Sequence, residues 1–205
     1  MTTMSTTLGR TGVRTRRALR WGVVAGVLTT LSALAVVSVV AGGHHSRASA
    51  DHRHQVVLAA HRAQLAQWEA AVHPLILSAG QVVALGPRQG AQQLAGNEFS
   101  AATNHHMAEG WVTRLTQLRA QLAATKAPGI LTDAQSLLDR SLAGYIAASQ
   151  DLLAASTATG ARRTSLVNSA DVAGRAADRL YDQATAAIAA LRARFGLAVD
   201  WSESS

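Results

Sequence analysis

Residues 162–195 read RRTSLVNSADVAGRAADRLYDQATAAIAALRARF, and this stretch decides the fold class. Its apolar positions alternate between spacings of four and three residues, which predicts an amphipathic helix with one buried seam. The seam consists of Leu166, Ala170, Ala173, Ala177, Leu180, Ala184, Ala187 and Leu191. Gly196 follows as the expected left-handed residue just beyond the helix end.

Working backwards along the chain, Thr132-Asp133-Ala134-Gln135 fits a capping box and predicts the start of a helix that ends near Ser156. Residues 156–160 then form a turn. The seam of this helix consists of Leu138, Leu142, Tyr145, Ile146, Leu152 and Leu153.

Another helix is predicted from an N-cap at Asn97 to about Lys126, where Pro128-Gly129 stops it. Its seam consists of Ala101, Ala108, Trp111, Leu115, Leu118 and Leu122. Residues 88–97, with two glycines and several glutamines, are expected to form a loose connection.

The most N-terminal helix of this set is predicted from Asp51 to about Leu85, ended by Gly86-Pro87. Pro74 lies inside it and predicts a kink or break near Val72–His73, because proline lacks an N–H and clashes with the preceding turn. The seam consists of Leu65, Trp68, Val72, Leu75, Ala79 and Val82.

Four long helices with short connections favour an all-α, antiparallel bundle spanning residues 51–197. The seams are rich in alanine, so we expect closely spaced helices and a thin core without a roomy cavity. A polar tail, residues 198–205, follows and carries Trp201.

Upstream of the bundle, Trp21 to Ala41 reads WGVVAGVLTTLSALAVVSVVA and contains no charged residue. A helix of that length spans roughly 31 Å, close to the hydrocarbon core of a bilayer. We therefore predict a transmembrane anchor at residues 21–43, with Trp21 at the headgroup level and the bilayer as a partner.

The flanking charges predict the orientation of this anchor. Residues 1–20 contain no acid and five arginines, four of which lie close to the span. These four are Arg14, Arg16, Arg17 and Arg20. The positive-inside bias places this basic tail in the cytoplasm, and residues 44–50 become a linker to a bundle outside the cell membrane.

Two alternatives concern the anchor. Ala48-Ser49-Ala50 fits a cleavage site, and Arg16-Arg17 resembles part of a twin-arginine export signal, so the bundle would be secreted if the chain were cleaved after Ala50. Gly22 and Gly26 form a GxxxG pattern that could pair two anchors in a homodimer, although glycine is common in membrane helices.

The formal net charge of +7 is concentrated in the N-terminal tail. Beyond it, 14 basic and 12 acidic residues nearly balance. A nucleic-acid-binding domain would have a basic patch with stacking aromatics, so nucleic acid is not an expected partner.

The histidines suggest a weak metal hypothesis. The candidates are His52, His54, His61, His105 and His106. His54 and His61 share a helix face but are separated by roughly 10 Å along the axis, too far for one ion. A site would therefore require His44 or His45 to fold back, or His105 or His106 to approach from the next helix, and solvated polar residues are the simpler interpretation.

Other catalytic and cofactor patterns do not occur in the sequence. It contains no cysteine, no Glu-x-x-His pair, no Gly-x-Ser-x-Gly elbow and no phosphate-binding glycine loop. We therefore expect no cofactor and no enzymatic activity.

One charged face is a candidate docking surface, although such faces are more often simply solvated. It consists of Asp171, Arg175, Asp178, Arg179 and Asp182.

The outline resembles the extracytoplasmic four-helix sensor domains of chemotaxis receptors. Those receptors have a second span and a cytoplasmic signalling domain, so the resemblance concerns the fold alone. The expected function is a non-enzymatic interaction or assembly module with a protein partner in the bacterial envelope. The alternative is a ligand- or metal-responsive sensor bundle that uses the juxtamembrane histidines and signals through a partner.

Overall fold

The computed structural model describes residues 46–96 and 100–199, and every element in these ranges is helical. The helices are α1 (Ser46–Leu85), α2 (Pro87–Gly96), α3 (Ala101–Ala124), α4 (Thr132–Thr157) and α5 (Gly160–Arg194), with a 3₁₀ turn at Gly129–Leu131 before α4. The predicted all-α class is confirmed, with four long helices and one short one. The basic tail, the anchor and Trp201 lie outside the described residues.

Helices α3, α4 and α5 form an antiparallel set. At each interface, residues with increasing sequence numbers on one helix contact residues with decreasing sequence numbers on its neighbour. The pairs are His105–Ser156 and Arg119–Asp139 between α3 and α4, and Ser141–Ala177 and Asp151–Ser169 between α4 and α5.

The α4–α5 interface is built from small residues. Ala170, Ala177 and Ala184 are buried at seven-residue intervals, as the seam predicts. A Cβ added at Gly144 would lie 2.9 Å from the Cβ of Ala177, and the Ser141 hydroxyl donates to the Ala177 carbonyl at 2.9 Å. Backbones therefore approach closely here.

The buried stripe on α5 drifts toward its C-terminus. Ile188 and Arg192 are buried, whereas Leu191 is half-buried. A straight helix has 3.6 residues per turn, so positions seven residues apart rotate slowly around its axis. Toward the C-terminus of α5, the buried position is therefore one residue later than the seven-residue repeat predicts.

Helix α1 contributes the bulkier part of the core. Leu65, Trp68 and Val72 are buried as predicted, but Ile76 and Val83 replace Leu75 and Val82 as the buried positions. The helix runs through Pro74 without a break, because apolar residues on both sides of the exposed proline are packed in the core. Of the two expectations, a break is therefore wrong, and a kink near Val72–His73 stays a prediction.

The N-terminal boundary of α1 also differs from expectation. Residues 46–50, predicted as part of the linker, form the first turns of α1. Ala48 and Ala50 of the candidate cleavage site therefore lie within a helix, while His44 and His45 are outside the described residues.

Residues 88–97 were expected to form a connection, but α2 occupies most of them. Proline suits the first position of a helix. A Cβ at Gly90 would lie 2.5 Å from the Trp111 ring, so the glycine permits α2 to pack closely on α3. Tertiary packing here overrides the low helix propensity of the segment.

The predicted capping residues were also wrong. The N-cap of α3 is Ser100, whose hydroxyl accepts from the Thr103 N–H at 3.1 Å, and Asn97 lies outside the described residues. Thr132 has helical dihedral angles (φ −57°, ψ −43°) and makes no cap bond, because the 3₁₀ turn leads directly into α4.

Gln135 instead joins three helices. Its Nε2 donates to the carbonyls of Leu122 and Thr125, at 3.1 and 2.7 Å, which caps the C-terminus of α3. Its Oε1 accepts from the Trp68 indole at 2.9 Å. This single side chain fixes α1 against the α3–α4 corner.

The end of α5 folds back on itself. Gly196 takes φ +67°, as predicted for the residue beyond the helix. The Leu197 N–H donates to the Arg192 carbonyl and the Gly196 N–H to the Ala193 carbonyl, at 2.9 and 3.0 Å, which is a Schellman motif. The turn places Leu197 and Ala198 beside Arg192.

One helical segment of the described ranges, His52–Gln93, is long and apolar enough to cross a membrane by length and composition alone. It is not the predicted anchor, which lies outside those ranges. Because core helices of soluble proteins pass the same test, and this segment supplies Leu65, Trp68 and Val72 to the core, the observation is weak evidence for a span.

Candidate ligand cleft between the first and last helices

The candidate metal ligands are separated by the fold. The His61 ring contacts the Phe195 ring at the C-terminal end of α5, with ring centroids 5.5 Å apart and the planes tilted by 45°. His105 contacts the Ser156 hydroxyl at 3.1 Å, at the C-terminal end of α4. Since α4 and α5 are antiparallel, the two histidines lie at opposite ends of the bundle.

His52 and His54 are exposed on the first turns of α1, and His106 is exposed beside His105. Within residues 46–96 and 100–199, no group of three or more His, Asp or Glu side chains could hold a metal ion. The structure therefore does not bring the α1 and α3 histidines together.

A different polar site lies between α1 and α5. Arg192 is buried, and its NH1 donates to Glu69 Oε2 at 2.7 Å. The two side chains are only 8% and 12% exposed. Desolvating an ion pair is costly, so this contact specifies how α1 seats on α5 more than it stabilises the fold.

The fold-back at the end of α5 holds Arg192 in place. Its Nε donates to the Ala198 carbonyl at 2.5 Å. Seven residues, or about two turns, before Glu69 on α1, the Arg62 Nε donates to the Phe195 carbonyl at 2.6 Å. The Arg192 guanidinium is thus held by the Ala198 carbonyl on one side and by the Glu69 carboxylate on the other.

Glu69 uses only one of its oxygens in this arrangement. Oε1 is buried and has no hydrogen-bond partner among the described residues. Buried polar atoms are nearly always bonded to protein or to ordered water, so this carboxylate oxygen marks a position where a hydrogen-bond donor is expected.

A cleft of about 350 Å³ opens beside this pair. Glu69, His73 and Arg192 supply its ionisable lining, and small or apolar side chains complete it: Ala66, Ala70, Pro74 and Leu197. Its size falls within the range of small-ligand pockets. The sequence did offer one signal: Glu69 is the only acid between Asp51 and Glu98, directly after a core tryptophan.

A second, apolar cavity of about 170 Å³ lies between α1, α4 and α5. It is lined by Ile76, Gly80, Val83, Leu142, Tyr145 and Tyr181 among others. Burial, and secondarily the charge of Asp182, raises the pKa of Tyr181 above its ordinary value. Both openings lie along α1, whereas the helices approach closely at the α4–α5 seam.

The charged face of α5 has mixed roles. Asp171 and Arg175 form an exposed i,i+4 pair, as predicted. Asp178, however, accepts a short hydrogen bond from the Tyr145 hydroxyl of α4. Part of the candidate docking face is therefore a contact between helices.

No protein-family model, curated protein or solved structure matches this chain.

Proposed function

We propose that the chain is a single-pass membrane protein whose exported bundle is a non-enzymatic binding module. The uncharged stretch from Trp21 to Ala41 and the arginines before it support anchoring with the bundle outside. The partner is a protein of the same envelope, which the bundle contacts through α1.

The observation that carries this proposal is the apolar but exposed character of α1. The mean hydropathy of its segment reaches 1.3 over 18 residues, yet only 29% of that window is buried. Leu77 is 50% and Leu85 65% exposed, and no Asp, Glu, Lys or Arg occurs between Glu69 and Arg88. An uncharged, apolar surface of this kind is typical of a protein interface.

The experiment is site-specific photocrosslinking of the full-length protein in its native membrane. A photoreactive residue at Leu77 is expected to give one reproducible adduct, whereas the same residue at exposed Gln117 on α3 gives none. An adduct twice the mass of the chain would identify a second copy as the partner. Absence of any adduct, or equal adducts from both positions, would contradict the docking proposal.

The alternative is a ligand-responsive bundle that signals through a partner. The cleft beside Glu69 favours this function, in place of the histidine cluster expected from the sequence. Helix α1 lines that cleft and is the first helix after the predicted anchor in the sequence, so a ligand bound there would act on the helix that follows the membrane segment.

A further inference from the structure

The side of α1 that faces away from the core carries a second regular pattern. Nine exposed positions follow one another at spacings of three or four residues and therefore share one face of the helix. We call this set the outer face of α1, and it consists of Val56, Ala60, Ala63, Gln67, Ala70, Pro74, Leu77, Gln81 and Leu85. Seven of these residues are apolar and two are glutamines. The solvent side of a helix normally carries charged and polar residues, so this composition indicates an interface.

Large apolar side chains are concentrated on this helix. Among the described residues, six large apolar side chains are exposed, and four of them belong to α1. Three lie on the outer face: Val56 is 55%, Leu77 50% and Leu85 65% exposed. A contiguous apolar strip of this kind is typical of a site where another protein binds.

The charges of α1 lie on a different side of the helix. Arg62 and Glu69 are the only Asp, Glu, Lys or Arg residues of α1 after Arg53. Arg62 donates to the Phe195 carbonyl at the end of α5. Glu69 accepts a hydrogen bond from Arg192 of the same helix. Two copies of the outer face can therefore meet without bringing like charges together, which on a charged surface would cost several kcal/mol.

The two glutamines of the outer face suit an identical partner. The glutamine amide carries both N–H donors and a carbonyl acceptor, so it can pair with a copy of itself, which a lysine or a glutamate cannot do. Gln67 and Gln81 are fourteen residues apart, which is two heptads. In a parallel pair of helices with heptad spacing, each residue of the contact faces its own copy, so one register pairs both glutamines.

We propose that the partner docked on α1 is a second copy of this chain, and that the two outer faces pack as a parallel pair of helices around a twofold axis. Gln67 and Gln81 each bond to the same residue of the other copy, and Leu77 packs against Leu77. The inference rests on the proposed docking through α1 and names the protein that binds there.

The size of the outer face determines how strong this dimer is. From Val56 to Leu85 the face is roughly 44 Å long and about 10 Å wide, or roughly 440 Å² on each copy. The total of roughly 900 Å² is below the range of about 1,200–2,000 Å² for stable interfaces. We therefore expect a weak dimer that depends on confinement of both copies to one membrane by the predicted anchors, which raises their effective concentration.

The test uses single cysteines, because the chain contains none of its own. Ala63→Cys, Ala70→Cys and Leu77→Cys each place one thiol on the outer face of the full-length protein in its native membrane. Each should form a disulfide-linked dimer when copper phenanthroline is added as oxidant. The matched control is Gln64→Cys, which is exposed next to Ala63 but lies about 100° around the helix. It should give at least about tenfold less dimer, because a disulfide requires Cα atoms within about 7 Å of each other.

An exchange of charge tests the register. Gln67→Glu, introduced into the Leu77→Cys protein, brings two carboxylates together and should lower the dimer yield at least about fivefold. Gln117→Glu, at an exposed position of α3, should leave the yield unchanged. Co-expression of the Gln67→Glu copy with a differently tagged Gln67→Lys copy should restore a mixed dimer, because opposite charges then meet. Circular dichroism checks that each variant keeps the native helix content.

Several results would overturn the proposal. Equal dimer yields from Gln64→Cys and Ala63→Cys would mean random collision. Dimer at only one of the three outer-face positions would show antiparallel helices, and no mixed dimer from the Glu and Lys copies would exclude the register. An adduct of Leu77 to a different protein alone would overturn self-association but leave docking through α1 in place, whereas the absence of any adduct would contradict both.

Discussion

The α4–α5 interface and the packing of α1 against the other helices differ in the size of the side chains that make them. Between α4 and α5, alanine, serine and glycine bring the backbones together, with Ala177 and Ala184 fully buried. Helix α1 packs through large side chains such as Leu65 and Trp68, and both cavities described above lie along it. Small residues leave little empty volume, whereas bulky ones hold helices apart and leave gaps between contacts.

This difference separates a closely packed part of the bundle from a part that is lined by open clefts. Polar contacts fix α1 at specific points, through Gln135 at one corner and Arg192 at another. These contacts start from Trp68 and Glu69, which are neighbouring residues of α1, and beyond them the helix is held by the buried apolar side chains of Val72, Ile76, Ala79 and Val83. We infer that binding and any response to it concern α1, while α4 and α5 act as the scaffold.

The largest expected loss of stability comes from breaking the Glu69–Arg192 ion pair between α1 and α5. Arg192→Met leaves the Glu69 charge buried and unpaired, so we expect a loss of about 3–5 kcal/mol in the free energy of unfolding. Arg175→Met is the matched control on the same helix. It removes an exposed ion pair, with side chains 62% and 51% accessible, and should cost less than about 0.5 kcal/mol.

Urea unfolding of both full-length variants in detergent, followed by circular dichroism, measures this pair of effects. Equal costs for the two substitutions would show that the Glu69–Arg192 contact does not fix α1.

Alanine substitutions at two glycines, one in the α4–α5 interface and one on α1, test the difference in packing between these two regions directly. Gly144→Ala adds a methyl group 2.9 Å from the Cβ of Ala177, and the overpacking should outweigh the gain in helix propensity, for a net loss of about 1 kcal/mol. Gly80→Ala adds its methyl group where no atom lies within 4 Å, so it should gain about 0.5–1 kcal/mol from propensity alone.

Thermal unfolding of the two variants side by side gives the comparison. If Gly144→Ala proved as stabilising as Gly80→Ala, the α4–α5 interface would have room to relax, and the contrast between the two regions would disappear.

The same contrast explains which features the sequence could predict. The α5 seam was predictable because a regular repeat of alanine places one face of the helix against its neighbour, and Gly196 was predictable because its role is local. Helix α2 was missed because its packing on Trp111 is a tertiary effect.

The candidate site was harder to predict for a related reason. Glu69 and Arg192 are 123 residues apart, and their pairing depends on how α1 seats on α5. Gln135 was assigned to a capping box because its spacing from Thr132 fits one, but the 3₁₀ turn removes the cap geometry and frees the side chain to reach α3 and α1. Spacing predicts local bonds, whereas the cleft is formed by non-local ones.

The smallest effect concerns pH and the α3–α4 interface. Arg119 hydrogen-bonds both oxygens of Asp139, at 2.8 and 2.9 Å, and this bond holds the pKa of Asp139 below its ordinary value of 3.8. A lowered pKa in the folded state gives stability that is present above the unfolded value and lost as pH falls through the folded one.

The Arg119 and Asp139 side chains are 43% and 34% exposed, so solvent screening limits the contribution to about 0.5 kcal/mol. Asp139→Asn should therefore lower the free energy of unfolding at pH 7 by this amount, and the difference from the unmodified chain should shrink in acid, as pH falls below 3.8 and through the lowered pKa of the folded state. Unfolding curves at both pH values measure the difference, and a cost that persisted unchanged in acid would show that shape, and not charge, makes the Arg119 contact stabilising.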